Sequence, residues 1–287
     1  MPRYLITGAT GQQGGGVVEA LLHESGHADI EIRAITRNLS SNSAKDLQNR
    51  GIEVVKADLG DGKSLEAALR GCEAAYLVTD FRGPGGVEEE KEQGRTFVDA
   101  AVRAGVKHIV FSSVSGSEDE RVEHFHSKYH IEKYIQASGL KWAVIRPVGF
   151  MDLIPPPGIG RAFFLAAMKA AFGDVKQKWI ACEDIGKGAA KALMQPNHFN
   201  GKTYEIVGDV ATVNEVKSAL ERADNGRTEW NVWLPKYLVM LFSPYHYRQM
   251  FQWLALGVQP GEVQRTKELI PDVMNVESWA RKKTKQE

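Results

Sequence analysis

Only two cysteines, Cys72 and Cys182, occur among the 287 residues, and no second cysteine or histidine cluster stands near either. That spacing excludes a disulfide framework or a thiolate zinc site and leaves buried free thiols in a reducing compartment as the expectation. Net charge is missing too, because 36 basic and 36 acidic side chains cancel. Without a basic excess, direct binding of nucleic acid or of an anionic membrane is not expected. The locally basic end "ARKKTKQE" reads as a solvated tail. No apolar run approaches the ~18 residues of a membrane span. "MPRYLITGATG" enters a strand at once, so no signal peptide is expected. The expected location is cytoplasmic, with the nucleus also open.

What is present is alternation. "RYLIT" (3–7), "EIRAIT" (31–36), "IEVVK" (52–56), "AAYLVT" (74–79), "KHIVFS" (107–112) and "KWAVIR" (141–146) are short, rich in Val, Ile, Ala or Tyr, and bounded by Gly, Asp or Asn. They read as strands, with helical patterns between them at 14–24, 64–70, 88–104 and 123–138. Strands alternating with helices through short links predict an α/β fold: a doubly wound parallel sheet covered on both faces. After Arg146 the pattern loosens. "GFMDLIPPPGIG" suits a rim or lid, 183–194 is helical again, and "TYEIVG" (203–208) reads as a late strand. The expected division is a dinucleotide-binding domain over 1–147, to which 178–207 returns, and a smaller, mainly helical region from 148–177 and 208–287. Trp230, Trp233, Tyr237, Tyr245, Tyr247 and Trp253 fall in that region, where aromatic residues ordinarily supply core area and otherwise wall a pocket.

The first strand runs into Gly8-Ala9-Thr10-Gly11-Gln12-Gln13-Gly14 and then a helix. Gly8 permits a tight turn, Gly11 lets backbone approach a pyrophosphate, and Gly14 lets the helix pack closely on the sheet. The helix N-terminus then points its partial positive charge at the phosphates. The spacing is G-x-x-G-x-x-G, and its place between an opening strand and a helix gives it weight. After the second strand, NAD sites carry an acid for the ribose hydroxyls, whereas this chain has Arg37 and Asn38. A guanidinium there pairs with a 2′-phosphate, so NADP(H) is expected over NAD(H). Asp58 and Leu59, after the third strand, are placed for the adenine edge, and Thr79 for the ribose and nicotinamide. "DFRGPGG" (80–86) forms a loop able to fold over the cofactor.

Tyr129-x-x-x-Lys133 spells the pair with which short-chain reductases protonate a carbonyl. Helical spacing argues against that use. His124, Lys128, Ile131 and Ile135 share one face, and the isoleucines turn it toward the sheet, leaving Tyr129 and Lys133 outside. The inward pair is therefore His124 and Lys128. An inward lysine can serve the nicotinamide ribose, while His124 stands where the phenol belongs, with a pKa near 6.5 when unperturbed. Packing at the helix start is the alternative use of His124. Glu123, His126 and His130 share the outer face but lack a fourth ligand, and no metal site is expected.

"ITGATGQQGGGVVEALL", "AITRN", "EQGRTFVDAAVRAGVKHIVFSSV", "HFHSKYHIEKYIQASGLKWAVIRPVGFMDL", "EDIGKGAAKAL" and "FNGKTYEIVGDVATVNEV" together resemble the NmrA-like family of atypical short-chain dehydrogenase/reductases. The resemblance implies a Rossmann domain with an interleaved smaller region. It also implies a cofactor held at the glycine loop, Arg37 and Lys128, with Pro147 and Phe150 lining the nicotinamide pocket. Lys128 takes the reductase lysine's place and the tyrosine is missing. Some members read NADP(H) state as sensors or transcription co-regulators, and isoflavone-type reductases do chemistry with the lysine alone. The leading expectation is thus a dinucleotide-binding redox sensor acting through a protein partner. The alternative is an NADPH-dependent reductase of a small aromatic, enone or quinone-like substrate, using Lys128 and with His124 or water giving the proton. "FSSVSG" keeps Ser113 and Ser115 near the site. A homodimer is compatible with either reading.

Overall fold

The computed structural model describes residues 1–25, 30–226 and 230–285. Among them the first half alternates as β1 (Arg3–Ile6), α1 (Gln12–Ser25), β2 (Glu31–Thr36), α2 (Asn42–Asn49), β3 (Glu53–Lys56), α3 (Gly62–Leu69), β4 (Ala74–Val78), α4 (Gly86–Ala104), β5 (His108–Ser112), α5 (Glu123–Ala137) and β6 (Lys141–Pro147). The rest comprises β7 (Gly149–Phe150), a 3-10 turn (Met151–Leu153), α6 (Ile159–Phe172), β8 (Gln177–Ile180), α7 (Cys182–Met194), α8 (Pro196–Phe199), β9 (Lys202–Ile206) and β10 (Asp209–Ala211). The chain then closes with α9 (Val213–Ala223), α10 (Lys236–Phe242), α11 (Tyr245–Leu254), α12 (Val263–Leu269) and α13 (Val276–Thr284).

Seven strands form one parallel sheet in the order β3-β2-β1-β4-β5-β6-β9. Side-chain alternation explains why both faces are covered. Tyr4 and Ile6 of β1 join a core with Val17 and Leu21 of α1 and Ile185 and Ala189 of α7. Leu5, between them, joins the opposite core with Leu65, Phe97 and Ile131 from α3, α4 and α5. A smaller sheet, β10-β8-β7, packs with α6, α9 and α13 around Phe172, Trp179, Val216 and Trp279. β8 pairs in the small sheet, while α7, α8 and β9 lie with the large one, β9 parallel to β6.

The C-terminal aromatic residues depart from core packing. Trp253 is 4% exposed, but Trp233 and Tyr237 are 82% and 70% exposed, and Trp230 and Tyr245 also face outward. α10 contributes no buried residue at all. α10, a short helix between Pro235 and Ser243, packs on α6 without enclosing its own large side chains, so Tyr237 and Phe242 stay exposed. α2, which lacks a long apolar pattern, forms because the Ser41 hydroxyl caps it by accepting from the Ala44 amide.

Candidate functional site

Because the large sheet is parallel, the residues following β1, β2, β3, β4 and β5 emerge along one edge, and β6 ends there too. The strand order reverses between β1 and β4, which opens a crevice at the glycine loop. Gly8 has φ +61°, and a Cβ on it would lie 2.8 Å from Val78 Cγ1. A Cβ on Gly14 would lie 2.4 Å from the Gly8 carbonyl carbon and oxygen, so only glycine lets α1 start this close to the loop. Gly11 N donates to Gly8 O and Gly15 N to Gly11 O. Among the described residues no backbone carbonyl accepts from the amides of Gln12, Gln13 or Gly14. The first turn of α1 also carries no acidic side chain. Free amides at an unshielded helix N-terminus are the donor set that suits a phosphate, so the loop fits a dinucleotide pyrophosphate.

The two glutamines differ in use. Gln13 accepts from the Ser112 hydroxyl at 2.6 Å, tying α1 to β5. Gln12 is exposed and reaches the Asp152 carbonyl at 3.4 Å, beside the small sheet. Thr10 is exposed on the loop, and Phe150 is half-buried while Pro147 is buried at the end of β6. Arg37 and Asn38 are exposed just beyond β2. Asn38 bonds within its own turn, to Ser40, Ser41 and Thr36. Asp58 is likewise exposed and accepts from the Gly60 amide, with Leu59 half-buried beneath it. Arg37 and Asp58 therefore share the edge with the loop, and among the described residues no hydrogen bond or ion pair joins either of them to it.

Thr79 and Lys128 do meet. Lys128 Nζ donates to the Thr79 carbonyl and hydroxyl, each at 3.2 Å, and to Glu90 Oε1 at 2.8 Å. Glu90, from α4, has no exposed surface and also accepts from Thr79 Oγ1 and Ser127 Oγ. The lysine end is thus fixed at the tip of β4, next to the strand pair that carries the glycine loop. Tyr129 and Lys133 lie on the outer side of α5, half-buried and exposed respectively.

His124 is buried, its Nδ1 has no hydrogen-bond partner among the described residues, and its ring stacks on Phe81 at 4.5 Å. His246 and Tyr247 of α11 bring their rings within 6.1 and 6.4 Å of it. Burial, aided by the nearby His246, lowers its pKa to about 4. The imidazole is therefore neutral near pH 7, which leaves it a poor proton donor beside the imidazolium that the sequence reading allowed. α11 is held there by Tyr245 Oη, which reaches Glu123 at 3.3 Å, and by Trp253 Nε1, which donates to Asp119 at 2.7 Å. Ser113 and Ser115 do not point free hydroxyls into the site. Ser113 donates to Glu132 and Ser115 to the Pro260 carbonyl at 3.3 Å.

Glu132 belongs to a second buried pair. It takes both Nε and Nη2 of Arg146, at 2.9 and 2.6 Å, in a forked contact. Burial opposes the Arg146 charge, but the Glu132 hydrogen bond and attraction prevail and raise its pKa. Sequence reading passed over Glu90 and Glu132. Their signal was an acid on an apolar stripe: Glu90 is in line with Gly94, Phe97 and Ala101, and Glu132 is adjacent to Ile131. Among the described residues no group of three metal-ligating side chains converges.

A doubly wound sheet with a glycine loop at its switch point and a lysine fixed at the neighbouring strand end defines a dinucleotide-binding α/β protein. The NmrA-like family model matches residues 3–278, and the chain belongs to that family. It is 30% identical over 246 residues to the NmrA-like family domain-containing oxidoreductase cpsB of Aspergillus campestris, covering 76% of this chain and 71% of that protein. Quinone oxidoreductase 2 of Escherichia coli is 30% identical over 221 residues, covering 76% and 73%. The structure of that enzyme with NADPH superposes with a TM-score of 0.78 over 98% of this chain and 99% of the other, at 23% identity. NmrA, a negative transcriptional regulator solved with NAD, superposes at 0.74 over 98% and 94%, at 19% identity.

Proposed function

We propose that this protein is an NADP(H)-dependent reductase whose acceptor is a small conjugated molecule of the quinone or enone kind. One observation carries the reading. The amine of Lys128 is held at the sheet edge by Thr79 and Glu90, and among the described residues neither a phenol nor an imidazolium bonds to it. The bound dinucleotide would supply hydride. The glycine loop and the N-terminus of α1 would hold its pyrophosphate, Arg37 its 2′-phosphate, and Lys128 its nicotinamide ribose. Phe81 and His124, stacked on one another, would give the acceptor a flat, dry wall. Carbonyls whose reduced form is a localised alkoxide need a proton in the transition state. Quinones and enones give delocalised anions that solvent can protonate afterward, so a site poor in acids suits them. The oxidoreductase names of cpsB and of quinone oxidoreductase 2 support the same class.

The redox-sensor reading that leads at the sequence level is second. It is favoured by exposed Trp233, Tyr237 and Phe242, an apolar surface suited to a partner. Titrating NADPH and NADH by calorimetry, then screening quinones, enones and simple ketones for NADPH oxidation, tests the proposal. Tighter NADPH binding with turnover confined to conjugated acceptors is expected. Binding of NADPH without turnover of any acceptor would favour the sensor. Arg37→Ala should weaken NADPH about tenfold or more while sparing NADH.

A further inference from the structure

Glu90 lies on the apolar stripe of α4 with no exposed surface. A carboxylate so placed is costly unless donors surround it, and here they do: Lys128 Nζ at 2.8 Å and Thr79 Oγ1 at 2.9 Å on Oε1, and Ser127 Oγ on Oε2. Each neighbour donates, which is the arrangement an ionised carboxylate requires. The pair with Lys128 is therefore neutral as a whole, although the lysine taken alone is a cation. Its position is fixed by the strands. Val78, one residue before Thr79, bonds through its amide to Thr7 Oγ1 at 2.8 Å, and Thr7 immediately precedes Gly8. A charge pair at Thr79 is thus anchored to the strand ends that carry the glycine loop.

The oxidised and reduced forms of a nicotinamide cofactor differ by one positive charge on the ring. Any fixed charge at the ring's end of the crevice therefore favours one form over the other, and a poorly solvated charge does so strongly. We infer that Glu90 sets redox-state selectivity: by cancelling the Lys128 charge at the tip of β4, it removes the bias against oxidised cofactor that a bare ammonium would impose. This rests on the NADP(H)-binding reading above. Glu90 acts through Lys128 and is a positioning residue that also balances charge. A merely structural role for the buried pair would change stability and weaken both cofactor forms alike.

The test compares affinities of the full chain for NADP+ and NADPH by calorimetry in the wild type, Glu90→Gln, Glu90→Asp, Lys128→Met and the Glu90→Gln/Lys128→Met double variant. Glu90→Gln should raise the ratio of Kd for NADP+ to Kd for NADPH on the order of tenfold, and Lys128→Met should lower it. The double variant, neutral again, should return near the wild-type ratio, and Glu90→Asp, which keeps the charge, should stay close to it. Ratios unchanged in both Glu90→Gln and Lys128→Met overturn the inference while leaving the cofactor reading intact. Wild-type protein that binds neither form overturns both. If Glu90→Gln does not fold, an unmoved ratio in Lys128→Met is still decisive.

Discussion

Tyr129 and Lys133 hold each other on the outer side of α5, with Lys133 Nζ 4.6 Å from the tyrosine ring centroid. On the inner side, Lys128, the residue before Tyr129, brings its Nζ to the buried Glu90 carboxylate. The two residues that spell a reductase motif thus meet at the surface, where Lys133 also donates to Gln136, whereas Lys128 turns to the candidate site.

Tyr129→Phe should accordingly leave turnover within about twofold and stability within about 0.5 kcal/mol. Lys128→Ala should cut turnover by about a hundredfold or more. NADPH consumption with a quinone acceptor reads both. A large loss in Tyr129→Phe, with Lys128→Ala active, would reverse the assignment of inner and outer faces to function.

Gly16 of α1 and Gly186 of α7 let the two helices touch backbone to backbone. A Cβ on Gly186 would stand 2.2 Å from the Gly16 carbonyl carbon and oxygen. Gly186→Ala must push α7 away, at about 1–3 kcal/mol, and α1 carries the glycine loop with it. Urea melting should show the loss and calorimetry a weaker dinucleotide. Gly15→Ala, whose Cβ would lie 3.4 Å from the Ala9 carbonyl, should be milder.

His124 should make stability depend on pH. Its folded pKa of about 4 lies below the free value, so between the two the unfolded chain binds a proton that the folded chain does not. Stability from this residue is whole above roughly pH 6.5 and falls on acidification toward pH 4, by about 3 kcal/mol in all. His124→Phe should flatten that part of the wild-type curve when urea midpoints are compared at several pH values. An identical slope in both proteins would disprove the assignment.

Glu132→Gln removes the charge that Arg146 holds in a fork inside the fold. Glu118 and Glu205 reach the same guanidinium at 3.0 and 3.3 Å, but neither is forked. Breaking the fork leaves Arg146 only the single contacts to Glu118 and Glu205, and about 2 kcal/mol of stability should go. Replacing both residues with apolar ones should cost less, and thermal melting distinguishes the two cases.

Local chemistry made much of this protein legible before folding. Strand and helix order follow from short-range alternation, and the glycine loop follows from the need for a tight turn and a close helix start. The outward placement of Tyr129 follows from one helical period. What depends on residues far apart in the chain was not legible. β8 joins the small sheet because its partners, β7 and β10, lie well before and after it. The core use of Tyr237 and Trp233 failed because burial depends on what packs opposite, and nothing in their own segment specifies that. Glu90 and Lys128 are 38 residues apart and belong to different helices. Composition shows both charges, but only the packing of α4 and α5 on one face of the sheet makes them a neutral pair.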